Sequence, residues 1–232
     1  MLVAAAVCPH PPALHPALSA GTLAELESLR AACDEAVRAL ISAAPEVVVA
    51  VGGVRADEPL STGLGSYGAD VVLSDEPLPL SLLLATYLLN RVGWDGARVY
   101  ECVAADAGAS ECLEGGKALA ERPRRVAMLV MGDGSARRTE KAPGWIHPDA
   151  GPFDEAVARA LGSADIAALA ELDPETCDRL LVGGRAAWQV LAGAARGHNV
   201  MGRLLFHDAP YGVGYFVALW TRQPGTNSST AA

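Results

Sequence analysis

The chain has 232 residues, a formal net charge of −9 and a hydrophobic fraction of 51%. This length is enough for one large core, and a charged fraction of only 19% excludes an intrinsically disordered chain. The acidic balance argues against a nucleic-acid partner, because no segment concentrates the lysine and arginine that would replace counterions. No apolar stretch approaches the length of a membrane span, so we expect no membrane partner either.

The five cysteines show no C-x-x-C spacing and lie mostly in apolar surroundings. They stand at positions 8, 33, 102, 112 and 177. This usage is typical of reduced, buried thiols and predicts a cytoplasmic protein rather than a disulfide frame or a zinc ribbon. The apolar opening has no basic flank and is too short for a signal peptide, so it predicts a strand.

Short, continuous apolar runs alternate with helical patterns along the first half of the chain. In chain order we predict a strand at 2–7, a helix at 23–40, a strand at 47–51, a helix at 80–92, a strand at 98–103, a helix at 111–119 and a strand at 126–131. Continuous runs rich in valine and alanine are typical of strands covered on both faces, as in a mostly parallel sheet.

The second half begins with a long loop, predicted at 132–152, and then becomes helical. Helices are predicted at 153–161, 164–172, from Asp173-Pro174 onward and at 185–195, followed by a hairpin of strands at 200–207 and 212–220. The sequence therefore predicts a three-layer α/β/α fold with a mostly parallel central sheet and a C-terminal hairpin. Residues 1–222 are expected to form one domain, and 223–232 a disordered tail.

Polar residues follow each of the four predicted inner strands. His10 follows the first strand between prolines, Arg55 follows the second, Asp106 the third and Asp133 the fourth. Ligands in such sheets bind beyond the carboxyl ends of the strands, so we expect these residues to line one cleft. Prolines stiffen the turn that carries His10, whose imidazole suits either metal binding or proton transfer.

Ser135, in the segment GDGS (132–135), is a candidate nucleophile. This role requires a base within hydrogen-bond reach, and His147 of the same loop or His10 are the candidates. The alternative is a tight turn in which Asp133 and Ser135 bond their own backbone, and a lone GDGS favours this turn. No two histidines stand four residues apart on a helix, so a metal site would have to be assembled from distant segments.

Several segments, in this order, carry a resemblance to a known family. They are PHPP (9–12) after the first strand, MGDGSA (131–136), PFD (152–154) opening a helix, VGGRAAWQVLAG (182–193) and PYGVGYFVALW (210–220). With them the chain resembles the class III extradiol dioxygenase (LigB-type) superfamily, which includes the Memo-like proteins, from residue 3 to about residue 220. The resemblance implies a LigB-like fold and, in ring-cleaving members, ferrous iron held by two histidines and a carboxylate.

The resemblance also implies site residues, most of which are substituted here. His10 matches the first metal histidine, whereas the second falls in the turn 52–55, where Arg55 is the nearest equivalent. The acid–base histidine would follow Ser135, but position 136 is alanine. The third ligand, glutamate in the dioxygenases and cysteine in Memo-like proteins, matches Gly183. A single imidazole does not hold iron or zinc, because affinity comes from several ligands acting together.

Three hypotheses follow from this pattern. In the first, the metal site is eroded and the cleft binds a small anionic or aromatic ligand among the residues His10, Arg55, Asp106, Asp133, Ser135, His147 and Gly183, with His10, Asp133 and Ser135 as catalytic candidates. In the second, the protein is an active iron- or zinc-dependent dioxygenase with a non-standard ligand set: His10 and His147 with Asp133 or Asp106. In the third, it is a non-catalytic interaction protein, a homodimer joined along its apolar terminal strand.

Overall fold

A computed structural model describes residues 1–19, 23–122 and 124–223, with the backbone alone for 23–25. Its strands are β1 (Leu2–Cys8), β2 (Val47–Val54), β3 (Ala97–Ala104), β4 (Val126–Met131), β5 (Val200–Asp208) and β6 (Tyr215–Arg222). They form one sheet in the order β3-β2-β4-β1-β6-β5. The first four strands are parallel neighbours, β6 is antiparallel to β1, and β5 is antiparallel to β6. The predicted mixed α/β class, mostly parallel sheet and C-terminal hairpin are confirmed.

Helices cover both faces of the sheet. They are α1 (Leu23–Ser42), α2 (Leu80–Arg91), α3 (Ala109–Ala120), α4 (Ala150–Ser163), α5 (Ile166–Ala170), α6 (Pro174–Arg179) and α7 (Arg185–Ala195). One apolar cluster joins one sheet face to α1 and α2, and a second joins the other face to α3, α4, α5 and α7. This arrangement is the predicted three-layer stack. Within the described residues, no helix combines the length and the apolarity needed to cross a membrane.

The local signals in the sequence explain where these elements begin. Strands β1 and β4 are buried along their whole length, as continuous apolar runs predict. Helix α6 begins as expected at Asp173-Pro174, where the Asp173 carboxylate accepts a hydrogen bond from the amide of Thr176 at 2.9 Å.

Helices α3 and α7 pack backbone to backbone. A Cβ atom added to Gly116 of α3 would collide with the carbonyl of Val190, and one added to Gly193 of α7 would collide with the carbonyl of Leu113. Two glycines facing opposite helices allow this close approach. The position of α7 matters because its amino end reaches the carboxyl edge of the parallel strands.

Strand β6 is not an edge strand, so the expected dimer contact along it is wrong as stated. It pairs with β1 on one side and β5 on the other. Tyr215 is only 3% exposed, and Phe216 and Trp220 are fully buried. The two unpaired edges of the sheet belong to β3 and β5.

The start of the predicted disordered tail is ordered. The amide of Gln223 donates to the carbonyl of Asn199 at 3.0 Å, and the two side-chain amides pair at 2.8 Å. The remaining tail, 224–232, lies outside the described residues.

Candidate ligand-binding cleft

A cleft of about 410 Å³ opens at the carboxyl edge of the parallel strands. Its walls come from the turns after β1, β2 and β3 and from the segment that joins α6 to α7. The lining residues are His10, Gly53, Arg55, Glu58, Ala105, Cys177, Asp178, Leu181, Val182 and Gly183. The structure thus brings His10, Arg55 and Gly183, three of the residues predicted from the sequence, to one cavity.

His10 is held at the cleft by Asp133. The backbone amide of His10 donates to Oδ1 of Asp133 at 2.8 Å, and the same oxygen lies 3.7 Å from Nδ1 of the imidazole. Nδ1 is buried and has no hydrogen-bond partner among the described residues, so the ring meets the cleft through its other edge. Burial raises the pKa of Asp133, while the attraction of the His10 ring and the His10 amide oppose the rise.

Arg30 of α1 fixes the segment that follows His10. This arginine is only 8% exposed, and its guanidinium donates to the carbonyls of Leu14 and Ala13 at 2.9 and 2.7 Å. The hydroxyl of Ser19 accepts a third bond at 2.6 Å. The proline-rich turn therefore has a rigid backbone before any ligand binds.

Gly183 leaves room for a Cβ atom beside the imidazole. A Cβ atom at Gly183 would lie 3.7 Å from Cε1 of His10 and 3.7 Å from Cβ of Asp133, both ordinary contacts, so the position tolerates a side chain that the chain does not provide. The next residues open α7, which has no side-chain cap, and its first bond runs from the amide of Trp188 to the carbonyl of Gly184. The earlier amides of α7 therefore lack intrahelical acceptors, and the positive end of the helix dipole meets the cleft.

Charged groups of both signs surround the cleft. Arg55 is highly exposed and pairs with Asp57 at 3.2 Å, and the hydrogen bond from Arg55 lowers the pKa of Asp57. An exposed pair of this kind is weak and leaves Arg55 free to turn to a ligand. Glu58 accepts bonds from the amides of Leu80 and Arg55, so the amino end of α2 offsets its charge. Asp178 is exposed on the opposite wall.

Arg185 joins two walls of the cleft from behind. Its guanidinium is buried and donates to the carbonyls of Ala107 and Ala105 at 2.8 and 2.5 Å and to Oε1 of Gln189 at 2.9 Å. The turn after β3 is therefore fixed to the first turn of α7. A buried cation so near the helix amino end adds to the positive potential there.

Ser135 does not face the cleft. It is fully buried, its hydroxyl donates to the carbonyl of Leu180 at 2.7 Å, and it accepts from the amide of Arg137 at 3.2 Å. Its own amide donates to the buried carboxylate of Asp154 at 2.9 Å, and Arg138 pairs with the other oxygen at 2.9 Å. This placement contradicts the predicted catalytic role. The hydroxyl donates its proton to Leu180 and accepts a bond from Arg137, so it holds the loop in place and does not face a ligand.

His147 and Asp106 also lie away from the cleft lining. The Nδ1 atom of His147 accepts from the amide of Asp149 at 3.2 Å, a local turn contact. Asp106 is exposed at the turn after β3, where its neighbour Ala105 provides the lining. The predicted ligand set of His10 and His147 with Asp133 or Asp106 is therefore not assembled, because the loop 132–149 folds back against α6 instead of over His10.

Apart from Gly183, the residues that α6 and the α6–α7 segment contribute to the cleft were missed at the sequence level. Cys177 and Leu181 line the cleft although they follow His10 by more than 160 residues along the chain. Burial and the negative charge of Asp133 raise the pKa of Tyr215, which was also missed. The one sequence signal for the α6–α7 segment was the glycine pair 183–184 at a predicted helix start, a pattern that is typical of anion-binding turns.

The residues present do not fit the metal centre that the resemblance implies. His10 offers one imidazole, and Asp133 already accepts the His10 amide. In the described chain, no group of three or more histidine, cysteine, aspartate or glutamate side chains is placed to hold an ion. Arg55 and Gly183 occupy the positions of two implied ligands. The guanidinium of arginine is itself a cation, and glycine has no side chain to offer a metal.

Comparisons with known proteins give a fold but no family. No family model matches the chain, and no curated protein matches it. The crystal structure of uncharacterized protein JW3007 from Escherichia coli K12 is similar, with a TM-score of 0.50 and 15% sequence identity over 94% of this chain and 99% of that chain. At this identity the similarity shows a shared fold over nearly the whole length of both chains.

Proposed function

We propose that this chain is a LigB-like protein of the extradiol dioxygenase superfamily with an eroded metal site, whose cleft binds a small anionic ligand. The juxtaposition of His10 and Gly183 on the lining of one cleft carries the proposal. Gly183 directly precedes the uncapped amino end of α7, so an anion there meets helix amides and an imidazole together. Arg55 supplies a mobile positive charge on the facing wall.

In this proposal His10 donates or accepts a proton at the bound ligand. The contact with Asp133 orients the imidazole at the cleft. The chemistry is non-oxidative and needs no group beyond the side chains that line the cleft. The five free thiols, four of them buried, support a cytoplasmic location as part of the same proposal.

Titration calorimetry with acetate and inorganic phosphate tests the binding of anions. Arg55→Met should weaken binding by about tenfold, equivalent to about 1.4 kcal/mol, because it removes a cation beside the ligand. Asp178→Asn should strengthen it, because it removes a like charge from the opposite wall. Gly183→Leu should abolish binding because it places a bulky side chain beside His10, and circular dichroism checks that this variant keeps its fold.

The matched control for the first variant is Arg203→Met. Arg203 of β5 is a similarly exposed arginine, 60% against 70% for Arg55, and pairs with Glu35 of α1, far from the cleft. If neither anion binds, or if Arg55→Met and Arg203→Met bind equally well, the cleft is not an anion site and the proposal fails.

A further inference from the structure

Leu181 is held in a strained conformation on the wall of the cleft. Its φ angle is 53°, in the left-handed region, and its side chain is 45% exposed. Leu181 follows the last turn of α6, where the amide of Val182 donates to the carbonyl of Cys177 at 2.9 Å and the amide of Leu181 donates to the carbonyl of Asp178 at 3.1 Å. This is a common helix-ending pattern, and its left-handed position favours glycine or asparagine. Here the position carries a leucine, whose apolar side chain is left half in solvent at the cleft.

A second strained apolar residue lies in the segment packed against Leu181. Trp145 has a φ angle of 58° and is 63% exposed. The preceding residue, Gly144, contacts Leu181 so closely that a Cβ atom there would collide with Cδ1 of the leucine. Backbone bonds from Ala136 to the Leu181 carbonyl and from Gly144 to the Ala136 carbonyl, at 3.3 and 2.9 Å, fix this contact.

The cleft therefore has two unlike walls. His10, Arg55 and the amino end of α7 form a polar wall, whereas Leu181 and Val182 form an apolar wall that continues outward toward Trp145. A small anion without an apolar group would contact only the polar wall. Asp133 and Asp178 stand near enough to disfavour a doubly charged head, so a monoanion suits the site better than a phosphate dianion.

We propose that the ligand is a carboxylate with an apolar chain, its head at the polar wall and its chain lying along Leu181. This inference rests on the proposed function and names the class of ligand for the same cleft. Water leaves both the apolar wall and the chain on binding, which supplies affinity in proportion to the length of the chain.

Affinities of a series from acetate to butyrate, hexanoate and octanoate test the inference by calorimetry. We expect a saturable one-to-one complex and a gain of about two- to fourfold in affinity per methylene until the wall is covered. Leu181→Asn should abolish the gain in affinity with length. Asparagine is close to leucine in size and tolerates the left-handed region, so this variant should fold.

Two further variants distinguish binding along the apolar wall from nonspecific hydrophobic binding to the surface. Met201→Asn changes an apolar residue of β5 that is similarly exposed, at 48%, and should keep the gain with length. Trp145→Ala should reduce the gain only for the longer acids. If acetate binds but longer acids bind no better, or if Leu181→Asn keeps the gain, the inference is overturned while the anion site stands. If phosphate binds but no carboxylate does, the inference is likewise overturned, and if neither binds, the proposed function itself fails.

Discussion

Asp133 is a buried carboxyl whose ionisation should work against folding. Burial raises its pKa, with His10 opposing the rise. A carboxyl with a raised pKa in the folded state favours folding below its unfolded pKa of about 3.9 and loses that contribution as pH rises through the folded value. We expect Asp133→Asn to become more stable relative to the native chain as the pH rises from 3 to 7, because the neutral amide avoids the burial of a charge.

Urea denaturation at pH 3 and pH 7 measures this difference. Asp57→Asn is the control of opposite sign, because the bond from Arg55 lowers the pKa of Asp57 and its ionised form is the favoured one. A stability difference for Asp133→Asn that is equal at both pH values would contradict the role of burial.

Ser135 should behave as a structural residue. Ser135→Ala leaves the buried Leu180 carbonyl and the Arg137 amide without their partner, at a cost of about 1–3 kcal/mol. Ser163→Ala is the matched control, because its exposed hydroxyl bonds only the Arg159 carbonyl of its own helix, and its effect should be within about 0.5 kcal/mol. Equal urea midpoints for the two variants, with loss of function in Ser135→Ala alone, would restore the catalytic interpretation.

At the scale of elements, the contact of α3 with α7 positions one wall of the cleft. Gly193→Ala should destabilise the protein by about 1–3 kcal/mol because the new methyl meets the Leu113 carbonyl. Gly115→Ala, one residue from the close contact on α3, meets nothing within 4 Å and should stabilise by about 0.5–1 kcal/mol. Thermal unfolding compares them. Destabilisation of both to the same extent would mean that helix contact does not decide the effect.

The elements of this fold were largely predictable, whereas their assembly was predictable only in part. Continuous apolar runs identified β1 and β4 within one residue at each end, since buried parallel strands leave an unbroken signal. The hairpin was also predicted, but its place in the sheet was not, because no local pattern distinguishes β6 beside β1 from β6 at an edge. His10 and Gly183 followed from strand ends and resemblance, whereas Leu181 carries no signal in its residue type.

For the whole molecule, the substituted ligand positions bear on metal content. We expect protein purified without chelators to hold no stoichiometric iron or zinc, because His10 and Asp133 alone provide too few donors. Elemental analysis by mass spectrometry of the native chain beside His10→Ala tests this expectation. Near-stoichiometric metal that is lost in His10→Ala would show that the loop 132–149 can bring His147 to the cleft, and would favour the dioxygenase hypothesis.

The bonds from Arg185 to the turn after β3 have a practical consequence for optical measurement. Cys102 of β3 is the one exposed thiol among the five cysteines, all of which the structure describes, and it lies three residues before Ala105. A maleimide dye would therefore attach at a single place without prior removal of the other cysteines. Because α7 and this turn are joined, the fluorescence intensity of such a dye should change when a ligand binds in the cleft. Ligand binding could then be titrated by fluorescence on the native sequence.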